Sequence, residues 1–278
     1  MPDLLVTPQW LADHLGEVRV LDVRGEVLDS EPRYRAYPER YREGHIPGAA
    51  FVDWRHDFTD RSAPVPVTIA PPELFAQDAT RLGISGATSV VAYDEYRNAL
   101  AGRVVWALRS YGHAAAHLLD GGLAAWRAAA LPLATGDERP EPADPPFLPG
   151  RLQRLVDLDG LRDMLAAGAQ LVDARSADQY AGRETHARRA GHIPGALSMP
   201  YTDLLDPAGR FLAAGALRQR LQAAGVDLDR AAVAYCNGGV SATVVANAIE
   251  LAGGRPATVY DGSWNEWGNR DDTPVEGE

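Results

Sequence analysis

Cysteine is almost absent from this 278-residue chain, in which Cys236 is the only one. A single cysteine cannot form a disulfide within the chain, and no Cys/His cluster has the spacing of a zinc site. The sequence therefore predicts neither a disulfide-stabilised fold nor a metal centre, and it predicts no cofactor.

Basic residues are fewer than acidic ones. The chain has 27 Lys and Arg and 38 Asp and Glu, which gives a net charge of −11. Nucleic acids and anionic membranes need a basic surface, so neither is expected as a partner. No window approaches eighteen consecutive apolar residues, and residues 1–8 lack the regions of a signal peptide. A cytoplasmic enzyme is the default prediction, and an anionic substrate would need a local basic pocket.

What the sequence does contain is a long internal repeat. The motif Gly-His-Ile-Pro-Gly-Ala occurs at 44–49 and again at 191–196, and the patterns around it recur in the same order. The separation far exceeds the period of a solenoid repeat and indicates a duplicated domain. Strands alternate with helical patterns, which predicts an α/β fold of two domains, each with a central, mainly parallel sheet flanked by helices.

A proline-rich stretch separates the two copies. It cannot form regular structure and is typical of a semi-rigid linker. We therefore expect an N-terminal domain at 1–135, a linker at 136–150 and a C-terminal domain at 151–278.

The stretch 231–246 places Cys236 at a chemically special point. An apolar run before it predicts a buried strand, and the small residues that follow Gly239 predict a helix to about Leu251. The thiol would lie where unpaired N–H groups and the helix dipole favour negative charge. Such surroundings lower a thiol pKa from roughly 8.5 toward about 3.5–7.5. Taken alone, the pattern fits a nucleophile and a small core residue equally well.

The repeat decides between these interpretations. The two motifs, a strand–Cys–loop–helix in the second copy alone, and the closing segment at 261–268 resemble the tandem rhodanese sulfurtransferases over essentially the whole chain. The resemblance implies two rhodanese-like domains, of which the C-terminal one is catalytic. Asp94 stands in the place of the cysteine in the first copy, which implies that the N-terminal domain is inactive.

The resemblance also implies covalent catalysis in two steps. Cys236 would take the outer sulfur of a donor as a persulfide and pass it to cyanide, a thiol or thioredoxin. Backbone N–H groups of the loop, pointing inward, and a hydroxyl would stabilise the sulfur and the donor. The loop residues expected to bind the donor are Asn237, Gly238, Gly239, Val240 and Ser241.

Members of this family hold the donor's anionic end with arginines from the segment that precedes the second motif. Gln179 stands where the first of these arginines is expected, so Arg183 and Arg188 are the predicted substitutes. The residues after the cysteine are neutral and match neither the thiosulfate type nor the mercaptopyruvate type. Thiosulfate is the leading donor and 3-mercaptopyruvate the alternative.

Two further functions compete with sulfur transfer by an enzyme. A cysteine phosphatase uses a similar cradle, but its loop ends in an arginine that clamps phosphate, and Ala242 occupies that position here. The second competing function is that of a non-enzymatic module, which carries a persulfide or binds a protein partner without turnover. The intact cysteine disfavours a purely structural role.

Overall fold

The computed structural model describes residues 4–277. These residues form two compact units. The first comprises the described residues up to Arg61, Ile69–Gln153 and Pro207–Arg210, and the second comprises the remainder, which includes Ser62–Thr68. The domain limits at 135 and 150 stay a prediction.

The first unit has helices on a central sheet. Its strands, in chain order, are β1 Leu5–Val6, β2 Val18–Asp22, β3 Gly25–Val27, β4 Tyr34–Ala36, β5 Ala50–Phe51, β6 Ser89–Tyr93 and β7 Ala116–Leu119. Its helices are α1 Pro8–His14, α2 Pro38–Glu43, α3 Pro72–Arg81, α4 Ala99–Ser110 and α5 Gly122–Ala128. A five-stranded parallel sheet runs in the order β1-β7-β6-β2-β5, and β3 pairs with β4 in a separate antiparallel ribbon.

The second unit repeats this architecture. Its strands are β8 Leu155–Val156, β9 Gln170–Asp173, β10 Leu197–Ser198, β11 Ala232–Tyr235 and β12 Thr258–Tyr260. Its helices are α6 Leu158–Ala166, α7 Ala177–Tyr180, α8 Ala214–Ala223, α9 Ala242–Leu251 and α10 Ser263–Trp267, with a 3-10 turn at Tyr201–Leu204. The parallel sheet has the order β8-β12-β11-β9-β10, the same as in the first unit. The predicted α/β fold with two similar sheets is confirmed.

Local signals in the sequence explain several element limits. Helix α1 begins after Thr7, whose hydroxyl oxygen accepts a hydrogen bond from the Trp10 N–H at 3.2 Å, and Pro8 occupies the first turn. Helix α4 begins at Ala99, where the Asp94 carboxylate accepts hydrogen bonds from N–H groups of its first turn.

The repeated Gly-His-Ile-Pro-Gly motif is attached to each sheet by a buried ion pair. In the first unit, Arg24 binds Asp22 at 2.6 Å and donates to the carbonyl oxygen of Gly44, the first residue of the motif, at 3.0 Å. The Tyr93 hydroxyl donates to Asp22 at 2.5 Å and accepts from the Ile46 N–H at 3.1 Å. Three different parts of the chain are thereby joined at the carboxyl edge of the sheet.

The second unit repeats these contacts. Arg175 binds Asp173 at 2.6 Å and the Gly191 carbonyl oxygen at 2.8 Å, and the Tyr235 hydroxyl accepts from the Ile193 N–H at 3.1 Å. Burial raises the pKa of Tyr235 well above its ordinary value, and the neighbouring Asp173 charge adds to the rise. The phenol is therefore a stable donor and acceptor, and the buried Asp–Arg pair is common to both units.

The two motif histidines have the same structural contacts in both units. Nδ1 of His45 lies 2.8 Å from the Tyr41 carbonyl oxygen, and Nδ1 of His192 lies 2.9 Å from that of Tyr180. Each imidazole also stacks on the same tyrosine, with ring centroids 4.0 Å and 3.7 Å apart. The histidines fix the turn that leads into the motif.

Within residues 4–277, no helix combines the length and the apolar character needed to cross a membrane.

The first unit contains a carboxyl group whose ionisation opposes folding. Asp57 is 16% exposed and binds Arg81 at 2.7 Å, while burial raises its pKa to about 6. Since this pKa exceeds the unfolded value, its contribution to stability is full below about pH 4 and is lost as the pH rises through 6. We expect Asp57→Asn to stabilise the unit by about 1–3 kcal/mol at pH 7, and by almost nothing at pH 4.

Urea unfolding at both pH values measures this difference. Asp53→Asn is the matched control with the opposite sign, because hydrogen bonds from Arg55 overcome burial and lower the pKa of Asp53. Its ionised form favours folding, so that variant is expected to lose stability at pH 7. An Asp57→Asn protein that is less stable than the parent at pH 7 would contradict the assignment.

Candidate active site

Cys236 lies directly beyond the central strand of the second sheet. It follows Tyr235, the last residue of β11, and precedes α9, which begins at Ala242. The chain proceeds outward from β9 to β10 and from β11 to β12, so the strand order reverses between β9 and β11. Ligands of such sheets bind beyond the carboxyl ends of the strands at this reversal. The thiol is 2% exposed and therefore lies inside the loop rather than on its surface.

The loop after Cys236 is bound to the start of α10. The Cys236 and Gly239 N–H groups both donate to the Ser263 hydroxyl oxygen, at 3.1 Å each. In return, the Trp264 N–H donates to the Cys236 carbonyl oxygen at 2.9 Å, and the Asn265 N–H donates to that of Asn237 at 2.8 Å. Four hydrogen bonds thus hold the first half of the loop.

Other N–H groups of the same loop have no such partner. Among residues 4–277, no acceptor is bound to the backbone N–H of Gly238, Val240 or Ala242. Gly239 adopts a left-handed backbone with φ of 70°, which glycine tolerates best. Ser241 lies at the N-cap of α9, but its side chain makes no capping hydrogen bond. The loop therefore presents polarised donors at a helix start, the arrangement that stabilises an anion.

The equivalent loop of the first unit shows what such donors do. The Asp94 carboxylate accepts hydrogen bonds at 2.9 to 3.0 Å from the backbone N–H groups of Tyr96, Asn98, Leu100 and Ala101. Burial raises the pKa of Asp94, and these four hydrogen bonds oppose the rise by favouring the ionised form. The first loop is thus closed around its own carboxylate.

Counting from Tyr93 and Tyr235, at the ends of the two central strands, relates the two loops. Tyr96 corresponds to Gly238, Asn98 to Val240 and Leu100 to Ala242. The three N–H groups without an acceptor in the second loop are therefore counterparts of groups that bind a carboxylate in the first. The N–H groups of Gly238, Val240 and Ala242 are therefore placed to bind a negatively charged group attached to residue 236.

The predicted arginines form separate surface ion pairs. Arg183 binds Asp178 at 2.7 Å and is 55% exposed. Arg188 binds Asp271 at 2.9 Å and the Asn269 carbonyl oxygen at 3.1 Å, and it is 64% exposed. Their roles in donor binding stay predictions.

Two residues that were not predicted to contact the loop do so. The Asn237 side-chain amide donates to the Gln179 side-chain oxygen at 3.0 Å, so the residue that replaces the expected arginine touches the loop itself. The other is Ser263, which follows Asp261-Gly262 in a stretch that repeats Asp120-Gly121 of the first copy. An alignment of the two copies at this point would have singled it out. Trp264 and Trp267 are buried in the core of the second unit.

Within the described part of the chain, no three His, Cys, Asp or Glu residues are grouped as a metal site.

Comparison with known proteins identifies the fold and its duplication. The Rhodanese-like domain family matches twice, at residues 7–129 and 157–270. The chain belongs to the tandem rhodanese family. The resemblance drawn from its motifs is therefore confirmed, and it extends over nearly the whole sequence.

Similar proteins cover almost the full length. The chain is 37% identical to the human 3-mercaptopyruvate sulfurtransferase, over 95% of this chain and 91% of that protein. It is 33% identical to the sulfur carrier protein TtuD of Thermus thermophilus, over 99% and 96%, and 32% identical to the chicken thiosulfate sulfurtransferase, over 96% and 93%.

A solved structure agrees with this fold. The crystal structure of the 3-mercaptopyruvate sulfotransferase SseA from Escherichia coli superposes with a TM-score of 0.84 at 31% identity. The match covers 95% of this chain and 99% of that one.

The first-unit loop provides a test of the rhodanese cradle. Asp94→Ala removes the acceptor of four N–H groups, three of them buried, so we expect a loss of about 3 kcal/mol or more in the free energy of unfolding. Asp94→Asn keeps one acceptor oxygen and should lose about half as much. Denaturant unfolding, with hydrogen exchange of residues 96–101, measures both variants. An Asp94→Ala rhodanese as stable as the parent would show that the carboxylate does not hold the loop.

Proposed function

We propose that this rhodanese is a sulfurtransferase that carries sulfane sulfur on Cys236 as a persulfide. The observation that carries the proposal is the difference between the equivalent loops of the two units. The first unit fills its ring of N–H donors with the Asp94 carboxylate. The second has a thiol at that position, and residues 4–277 offer no acceptor to the N–H groups of Gly238, Val240 and Ala242. A persulfide anion on Cys236 would extend toward such donors as the carboxylate does.

The chemistry needs no group beyond the thiolate and the donor. With thiosulfate, the Cys236 thiolate attacks the outer sulfur, the sulfur–sulfur bond of the donor breaks, and sulfite leaves with the bonding electrons. With 3-mercaptopyruvate, a sulfur–sulfur bond forms while the carbon–sulfur bond breaks. Pyruvate leaves as its enolate and takes the proton released by the new persulfide. In both reactions the persulfide later gives its outer sulfur to a nucleophilic acceptor.

For the donor, we propose 3-mercaptopyruvate first and thiosulfate, the donor favoured by the sequence, second. The human and Escherichia coli relatives carry the 3-mercaptopyruvate name. In this chain the neutral pair of Asn237 and Gln179 contacts the loop, and the net charge is −11. A monoanionic donor is repelled less than a dianion under these conditions. The chicken relative, a thiosulfate sulfurtransferase, supports the second candidate.

The acceptor is proposed as a small thiophile, cyanide or a thiol, or as the thiol of thioredoxin, in the cytoplasm. Because Cys236 is buried at the base of a short loop, acceptors with a small, sterically unhindered nucleophilic atom are favoured.

The candidate from a different class is a persulfide carrier that hands sulfur to a protein partner without turning over small donors. The Thermus relative, named as a sulfur carrier, supports it. Multiple turnovers of a small donor by the isolated protein would count against this candidate.

Intact-mass spectrometry tests the persulfide directly. After incubation with 3-mercaptopyruvate or thiosulfate, we expect the protein to gain the mass of one sulfur atom, and cyanide should remove it. Cys236 is the only cysteine, so Cys236→Ser should gain nothing and lose all turnover. Steady-state rates with the two donors rank them. A parent protein that gains no sulfur from either donor would contradict the proposal.

The KM of the donor in arginine variants tests whether Arg183 and Arg188 bind the donor's anionic end. Hydrogen bonds to charged groups contribute about 1.5–3 kcal/mol when buried and less at exposed sites. We therefore expect Arg183→Gln and Arg188→Gln each to raise the KM of the donor by about 3- to 30-fold, with little change in kcat. Arg230→Gln is the matched control, because Arg230 precedes β11 at the opposite end of the strand from Cys236. An unchanged KM in both variants would remove these residues from the donor site.

A further inference from the structure

Ser263 is a buried residue with an unusual backbone and several hydrogen bonds. It is 0% exposed and has a left-handed φ of 50°, which few residues other than glycine adopt. Its hydroxyl donates to the Tyr260 carbonyl oxygen at 2.8 Å and accepts from the N–H groups of Cys236 and Gly239. One side chain therefore joins the end of β12 to both ends of the Cys236–Gly239 segment.

The first unit has no counterpart of this hydroxyl. Gly122 occupies the equivalent position with a similar φ of 56°, and a Cβ there would lie 2.2 Å from the Asp94 carbonyl oxygen. A serine could not be placed there without a shift of the backbone. The backbone contact itself is shared, because the Leu123 N–H donates to the Asp94 carbonyl oxygen at 3.0 Å, as Trp264 does to Cys236. Only the side-chain contact is specific to the copy that contains the thiol.

The N–H groups used by Ser263 differ from those that bind the anion. In the first unit the carboxylate takes the N–H groups of Tyr96, Asn98, Leu100 and Ala101. Ser263 takes those of Cys236 and Gly239, which correspond to Asp94 and Arg97 and are not in that set. The loop is thus held without using the counterparts of the anion-binding donors.

We infer that Ser263 is a positioning residue for sulfur transfer, which holds the Cys236 loop open to the transferred sulfur by binding the two N–H groups that the sulfur does not use. This inference rests on the proposed persulfide function. The first unit stabilises its loop with an internal carboxylate. In the second unit, a carboxylate at that place would occupy the N–H groups that the transferred sulfur needs. A neutral hydroxyl from outside the loop provides the same order while leaving the anion-binding donors available.

Sulfur loading of two variants tests the inference. Ser263→Gly restores the residue of the first copy and suits the positive φ, while Ser263→Ala keeps the Cβ and removes only the hydroxyl. We expect both to retain about one loadable cysteine per chain, as counted by intact-mass spectrometry at long times. The rate constant of loading should fall about 10- to 100-fold, with little change in the donor KM, because the loss concerns the position of reacting groups.

A merely structural role gives a different pattern. In that case the loadable fraction would fall with the folded fraction, and the rate constant per loadable Cys236 would equal that of the parent. That result, or an unchanged rate in both variants, would overturn the inference.

Amide exchange in the parent protein tests the contacts even if the variants do not fold. We expect the Cys236 and Gly239 N–H groups to exchange more slowly than those of Gly238 and Val240, for which the described part of the chain provides no acceptor. Equally fast exchange at all four would overturn the inference. If the parent loads no sulfur from either donor, the proposed function fails, and the exchange rates report separately on whether Ser263 holds the loop.

Discussion

A loop that leads from a buried strand into a helix, together with the first turn of that helix, has several backbone N–H groups with no acceptor in the helix or the sheet, and these groups need another partner. Both units of this rhodanese place such a loop and helix beyond the central strand of a parallel sheet. In the first, the carboxylate of Asp94 satisfies four of these groups. In the second, Cys236 occupies that position and three of the equivalent groups have no acceptor in the described chain. The same electrostatic constraint therefore yields a self-neutralised loop in one copy and an anion-binding loop in the other.

The scaffold that holds these loops is the same in both copies. A buried Asp–Arg pair at the end of one strand binds the carbonyl oxygen of the first glycine of the repeated motif, and a tyrosine at the end of the neighbouring strand binds the isoleucine N–H of that motif. Removing one partner of a buried ion pair leaves an uncompensated charge, which is costly, so the two partners depend on each other. Since the tyrosine directly precedes Asp94 or Cys236, the network sets where each loop starts. The position of the thiol is therefore set by the hydrogen bonds at the edge of the sheet.

Much of this arrangement was predictable because its signals are local or repeated. The strand before Cys236, the helix after it, the duplicated motif and the Asp–Arg pairs all follow from apolar runs, small residues and recurrence within one sequence. The contacts of Ser263 and Gln179 with the loop were not predicted, because each joins residues far apart in the chain. Whether Gln179 meets Asn237 depends on the path of the 179–189 segment across the sheet edge, which periodicity does not specify.

The sequence by itself determined the α/β class, the duplication and the placement of the only cysteine between a strand and a helix, since these depend on short-range patterns. Only the tertiary structure decided which N–H groups are satisfied and by what. Hydrogen-bond acceptors such as the Ser263 hydroxyl and the Asp94 carboxylate act over about 3 Å. At that distance, two loops of similar length can be held by an internal carboxylate in one copy and by a distant serine in the other, and the backbone geometry sets the choice. The strand–Cys–loop–helix stretch shows that the chemistry of the site depends on donors left available by the fold as much as on the nucleophile.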